Sequence, residues 1–127
     1  MTIAEWCVLA AVLIYLLTIA PFKPMAGREF DNQNPRDPKF YQPPLRSRAW
    51  GAHLNGIETF PFFAFAVLLA EFRHVPQQSV DLWAVIFVAL RLVFVAVYLA
   101  GWGWTRTVVW NLGFLANLAI FLLPVWR

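Results

Sequence analysis

Between Arg46 and Phe72 the chain is apolar for long enough to cross a bilayer, yet Asn55 and Glu58 lie well inside that run. A carboxylate at such depth costs several kcal/mol, with values from about 2.5 upward, unless a partner or water meets it. Whatever fold the chain adopts must therefore bring an answering group to Glu58. That requirement constrains the arrangement of the other apolar segments more than any other feature.

The composition places the chain in a membrane. Of its 127 residues, 61% are hydrophobic and 13% charged, whereas soluble domains carry about 25% charged and 45–50% apolar residues. Mean hydropathy is +0.60. At about 20 residues per crossing helix, the length predicts an all-α membrane protein, a single four-transmembrane-helix bundle over residues 1–127 with no room for a soluble domain. The one cysteine, Cys7, excludes an intramolecular disulfide and any Cys-x-x-Cys redox or zinc site. Among Trp6, Val8 and Leu9 it reads as a small buried residue. The start, Met1-Thr2-Ile3-Ala4-Glu5, lacks the positive segment of a cleavable signal, so the first apolar run is expected to be retained.

Spans are expected at about 3–20, 49–72, 82–102 and 107–126. Pro21 and Pro24 forbid further helix after the first. Pro61 falls inside the second and removes the bond to the Ile57 carbonyl, so a kink is expected there. Gly101-Trp102-Gly103-Trp104 predicts a tight turn with aromatic anchors at the membrane interface. Residues 21–48 form a polar, proline-rich loop in which Phe30 to Arg36 carry turn chemistry. A loop of this length has a function or folds back on the protein.

Lys23, Arg28, Arg36, Lys39, Arg46 and Arg48 lie in that loop and Arg106 falls on the same side, against only Arg73 and Arg127 opposite. The positive-inside rule then puts the loop in the cytoplasm and both termini on the other side. Orientation thus accounts for most of the net charge of +3, without nucleic acid as a partner.

Depth counting nominates a partner for Glu58. It lies ten residues past Arg48, about 15 Å along a helix, while Arg91 lies eleven residues before Trp102, about 16 Å. The two charges are therefore expected to pair, within one subunit or across a subunit interface. Arg48, Gly51, Asn55 and Glu58 are three or four residues apart and form one helical stripe. Arg91 and Tyr98 likewise share a side of their helix, with Tyr98 level with Gly51 and Ala52. Together they predict a polar cleft with Arg48 and Arg106 at its mouth. His53 faces away from Asn55 and is assigned to helix packing. Such a cleft suits a peptide-like anion: arginines hold carboxylates by bidentate bonds, a carboxylate takes an amino group, and tyrosine or arginine can stabilise a thiolate. The same residues also suit a purely packing role, since buried polar side chains join membrane helices.

Arg48-Ala49, Asn55 and Glu58-x-x-Pro61 in the second span, with Arg91, Tyr98 and Arg106 around the third, resemble the MAPEG proteins, the membrane-associated proteins of eicosanoid and glutathione metabolism. Asp31-Asn32, Asn34-Pro35-Arg36 and Arg106-Thr107-x-x-Trp110-x-x-Gly113 are similar to the small bacterial branch. The resemblance implies a four-helix subunit in a homotrimer, with glutathione as co-substrate bound between neighbouring subunits near the cytoplasmic side. For a bacterial-type member it implies the inner membrane. It also implies glutathione contacts at Arg48, Asn55, Glu58, Arg91 and Tyr98, and a thiol-activating role for Arg106 with Tyr98 as second donor. Gly51 stands where characterised members often have an arginine, and Thr59 and Phe94 where the leukotriene synthase type has tyrosines. Those departures imply fewer hydrogen bonds to glutathione than usual.

The expected function is then a glutathione-dependent transferase or peroxidase acting on a lipophilic electrophile that enters from the bilayer. The alternative is a non-catalytic membrane protein whose buried polar cleft serves helix packing or lipid binding. A haem or quinone redox site has little support, because two histidines on different elements and one cysteine give no ligand spacing.

Overall fold

A computed structural model describes residues 1–126; Arg127, counted above in the charge asymmetry, lies outside them. Helix α1 spans Ile3–Ile19, α2 Phe22–Met25, α3 Pro44–Phe72, α4 Gln77–Ala100 and α5 Gly103–Trp126, with 3-10 turns at Gly27–Glu29 and Pro38–Tyr41. Among the described residues four helical segments are long and apolar enough to cross a membrane: Ile3–Met25, α3, α4 and α5. This is the expected all-α membrane architecture.

The helix bounds differ from expectation where prolines start or sit within helices rather than stop them: Pro21 leads into α2 and Pro24 lies inside it, so helix resumes directly after the first span. α3 begins at Pro44 instead of near Ala49, because a proline in the first turn has no hydrogen bond to lose and its fixed φ suits the helix. α4 begins at Gln77, directly after Pro76, instead of near Leu82. At the other end of α4, Gly101 takes a left-handed φ of 82°, which closes the helix in one residue and lets α5 start at Gly103. α3 stays helical through Pro61. Two residues earlier the Thr59 hydroxyl donates to the Gly56 carbonyl at 3.3 Å.

The bundle is fastened at both ends. Thr2 and Glu5 form a reciprocal capping box at the start of α1. The Thr2 hydroxyl also donates to Glu71 Oε1 at 2.7 Å, and Asp81 Oδ1 accepts from the Ala4 amide at 2.8 Å. The start of α1 is thereby tied to the end of α3 and the start of α4. Along their contact, the small residues Ala4, Cys7 and Ala11 of α1 are buried with Ala66 and Ala70 of α3, which lets helix backbones approach closely. Phe63 and Phe87 stack at 4.1 Å in the same core.

At the loop end, Phe40 and Tyr41 are buried with Ile19 and Ala49. The Tyr41 ring stacks on Trp50 at 4.3 Å and its hydroxyl donates to the Pro35 carbonyl at 2.8 Å. Burial holds the Tyr41 phenol above the ordinary tyrosine pKa, with the Arg36 charge working in the other direction. Arg46 pairs with Glu29 at 2.7 Å. The long loop therefore folds back on the helices. His53 serves packing, as its helical phase indicates: Nδ1 lies 2.6 Å from the Tyr15 carbonyl on α1. A carbonyl only accepts, so this nitrogen carries the proton.

Candidate functional site

Three helices build an open cleft of about 460 Å³. From α3 come Gly51, Asn55 and Glu58, spaced by three or four residues so that they share one stripe. From α4 come Phe94 and Tyr98, and from α5 Arg106 and Trp110. The sequence pattern thus brings most of its polar candidates to one place.

Tyr98 sits at the centre of the loop-side half. Its ring meets Phe94 edge-on at 5.5 Å, and its hydroxyl end fills the space beside the Gly51 backbone, where a Cβ would collide with it. Arg106 lays its guanidinium over the same ring, with Cζ 4.6 Å from the centroid. An arginine so placed keeps its donors available while the ring face screens its charge. Neither the Tyr98 hydroxyl nor the Arg106 guanidinium makes a hydrogen bond among the described residues. The two side chains form a fixed pair of unused donors in an open cleft.

Arg91 is only 6% exposed. The expected pair with Glu58 does not form within the chain: Arg91 Nη1 donates to Asn55 Oδ1 at 2.8 Å, and its Cζ lies 4.3 Å from the Phe94 ring. Among the described residues no salt bridge joins Arg91 to Glu58; the Arg46–Glu29 pair lies at the loop end. The reason is helix register. Depth counting aligned Arg48 with Trp102, whereas Arg48 Nε donates to the Leu99 carbonyl at 3.0 Å. Measured from that level, Arg91 lies about 12 Å deep, Asn55 about 10.5 Å and Glu58 about 15 Å. The shift moves Arg91 toward Asn55. Glu58 stays exposed within the cleft.

Arg48 itself stands apart from the cleft lining. Its bond to Leu99 and its approach to Gly101 place it at the end of α4, where a cation meets the last carbonyls and the negative end of the helix dipole. Within the chain it closes α4 and is not among the cleft-lining residues.

Deeper in the bundle lies a second, mainly apolar cavity of about 180 Å³ that shares Glu58, Phe94 and Trp110 with the cleft. Arg91 and Thr59 line it too, so two of the three departures, Thr59 and Phe94, border this space, while the third, Gly51, lines the cleft. Asn117 also lines it. Asn117 and Trp110 were not among the candidate residues. Their signal was nevertheless present: Arg106, Trp110, Gly113 and Asn117 recur at intervals of three or four and form one α5 stripe.

The family model of the MAPEG family matches residues 3–126. No curated protein and no solved structure matches the chain.

Proposed function

The chain belongs to the MAPEG family, and we propose that it is an integral membrane glutathione-dependent transferase or peroxidase acting on lipophilic electrophiles. The observation that carries this reading is the Arg106 guanidinium stacked on the Tyr98 ring at 4.6 Å in an open cleft. Glutathione has two carboxylates, one amino group and a thiol. The cleft and its wall carry two guanidinium groups, Arg91 and Arg106, against one carboxylate, Glu58. That cationic excess suits a peptide of net negative charge, with Glu58 available to its amino group and Asn55 to its amide groups.

In the transferase reaction the thiol proton leaves to water in the open cleft. Arg106 stabilises the thiolate by charge, and the Tyr98 hydroxyl donates a second hydrogen bond. The thiolate sulfur then forms a bond to an electrophilic carbon as the leaving group departs with its electron pair. Substrate reaches the site from the bilayer, and the thiol from the cytoplasm.

The assembly that fits is a homotrimer in which a neighbouring subunit covers the exposed side of the cleft, including Glu58. The charge asymmetry supports a cytoplasmic loop, in a bacterial inner membrane for a bacterial-type member. Arg48 has a structural part in this scheme.

Titration of purified protein with glutathione tests the reading. Saturable binding below about 10 mM is the expected result, and none at that concentration leaves the cleft with a packing or lipid-binding role. For the chemistry, Arg106→Ala is expected to lower kcat for conjugation of a generic electrophile by about 10²-fold. Equal rates for parent and variant remove Arg106 from the reaction.

A further inference from the structure

Asn117 is a polar residue in an apolar place. It is 3% exposed, and its Oδ1 is buried without a hydrogen-bond partner. A buried carboxamide oxygen without a partner is destabilising, and no neighbouring side chain offsets that cost. The residue also lines the second cavity, together with the apolar Phe62, Phe87, Leu90 and Phe114 and the polar Glu58, Thr59 and Arg91. Arg91 is already bonded to Asn55 and Thr59 to the Gly56 carbonyl, which leaves few free partners for an ordered water, and such a water needs about two to four.

Size narrows the occupant. An apolar cavity of about 150 Å³ holds a molecule such as benzene, and this one measures about 180 Å³. Whole drug-sized ligands occupy about 300–1,000 Å³. The space therefore fits one ring, or a short aliphatic end, of a molecule whose other part lies elsewhere. Glu58, Phe94 and Trp110 border both this cavity and the polar cleft, so a single molecule can reach from one into the other.

We infer that this cavity is a ligand compartment, lined by α3, α4 and α5, that takes the apolar end of a hydroxyl-bearing lipophilic molecule held by the Asn117 carboxamide. A hydroxyl is the group that fits, because it donates to Oδ1 or accepts from Nδ2. Carboxylates and amines fit less well at the carboxamide: the charged groups of the same lining are Arg91, already bonded to Asn55, and Glu58, shared with the cleft, so a charge placed at Asn117 meets only a neutral partner. Occupancy does not require the thiol chemistry proposed above.

The test uses two probes of nearly equal shape, 4-bromophenol and 4-bromotoluene, titrated into the detergent-solubilised full chain without glutathione. The parent is expected to favour the phenol by about tenfold or more. In Asn117→Leu, which keeps the volume and removes the amide, that preference is expected to vanish. Partition of the probes into micelles is common to both proteins and cancels in the comparison. A preference of equal size in parent and variant overturns the inference, as does the absence of saturable phenol binding to the parent. If the variant does not fold, crystals of the parent with 4-bromophenol decide: the bromine anomalous peak falls within the cavity, or the inference fails. Because no thiol is present, failure here is distinct from failure to bind glutathione.

Discussion

The hydroxyl end of Tyr98 occupies the space that any side chain at position 51 would fill. Glycine at this point is what allows α4 to place the ring where Arg106 can stack on it from α5. Gly51→Ala puts a methyl group into the Tyr98 hydroxyl and Cζ atoms. The expected cost is about 1–3 kcal/mol of stability for overpacking, together with displacement of the ring and slower conjugation. Tyr98→Phe in the same chain removes the worst overlap. The double variant is therefore expected to be more stable than the sum of the single changes, read by thermal unfolding in detergent. Additive losses show that the two residues do not share this space.

Arg48 separates stability from chemistry. Its Nε holds the Leu99 carbonyl at 3.0 Å and its guanidinium packs near Gly101, away from the cleft lining. Arg48→Ala is expected to lower stability by about 1 kcal/mol through the lost cap and the dipole interaction. The Kd for glutathione should stay within about twofold of the parent. A tenfold weaker Kd restores Arg48 to the binding site.

The architecture was legible because it follows from quantities that survive any arrangement of side chains. Apolar length decides the number of spans, and the spacing of Gly51, Asn55 and Glu58 decides that they share a face. The partner of Arg91 was not legible in the same way. Which α3 residue lies opposite it depends on how the turn at Gly101 closes and on where Arg48 caps α4, a shift of about 4.5 Å between two candidate alignments. Asn117 poses another difficulty. An asparagine in an apolar span reads equally as an interhelical bond or as a site, and only the surrounding side chains decide whether its amide is satisfied.

Tyr41 gives the loop a pH dependence of defined sign. Burial raises its phenol above the ordinary value, so the folded chain keeps this proton after the unfolded chain has lost it. The unfolded state then binds fewer protons, and stability falls as pH rises past the ordinary tyrosine pKa of about 10. The contribution is fully present below that value and is lost as pH approaches the raised folded value. Thermal unfolding between about pH 9 and 11 should show this decline in the parent, and a smaller one in Tyr41→Phe. Parallel pH profiles mean that the phenol does not link to folding.

The hydrogen bond between Arg91 and Asn55 yields the sharpest check on how the membrane charges are met. Asn55→Leu leaves a buried guanidinium without the amide that holds it at 2.8 Å, and a hydrogen bond to a charged group contributes about 1.5–3 kcal/mol. Arg91→Leu removes the same bond along with the charge, so the double change is expected to lose less than the sum of the single losses. Glu58→Gln behaves differently. Its carboxylate lies exposed and makes no salt bridge to Arg91 among the described residues, so its effect should add to that of Arg91→Leu within about 0.5 kcal/mol. Both cycles are read in the same detergent by thermal or denaturant unfolding of the assembled protein. Coupling in the Glu58 cycle with additivity in the Asn55 cycle means that the charges pair after all, across a subunit interface.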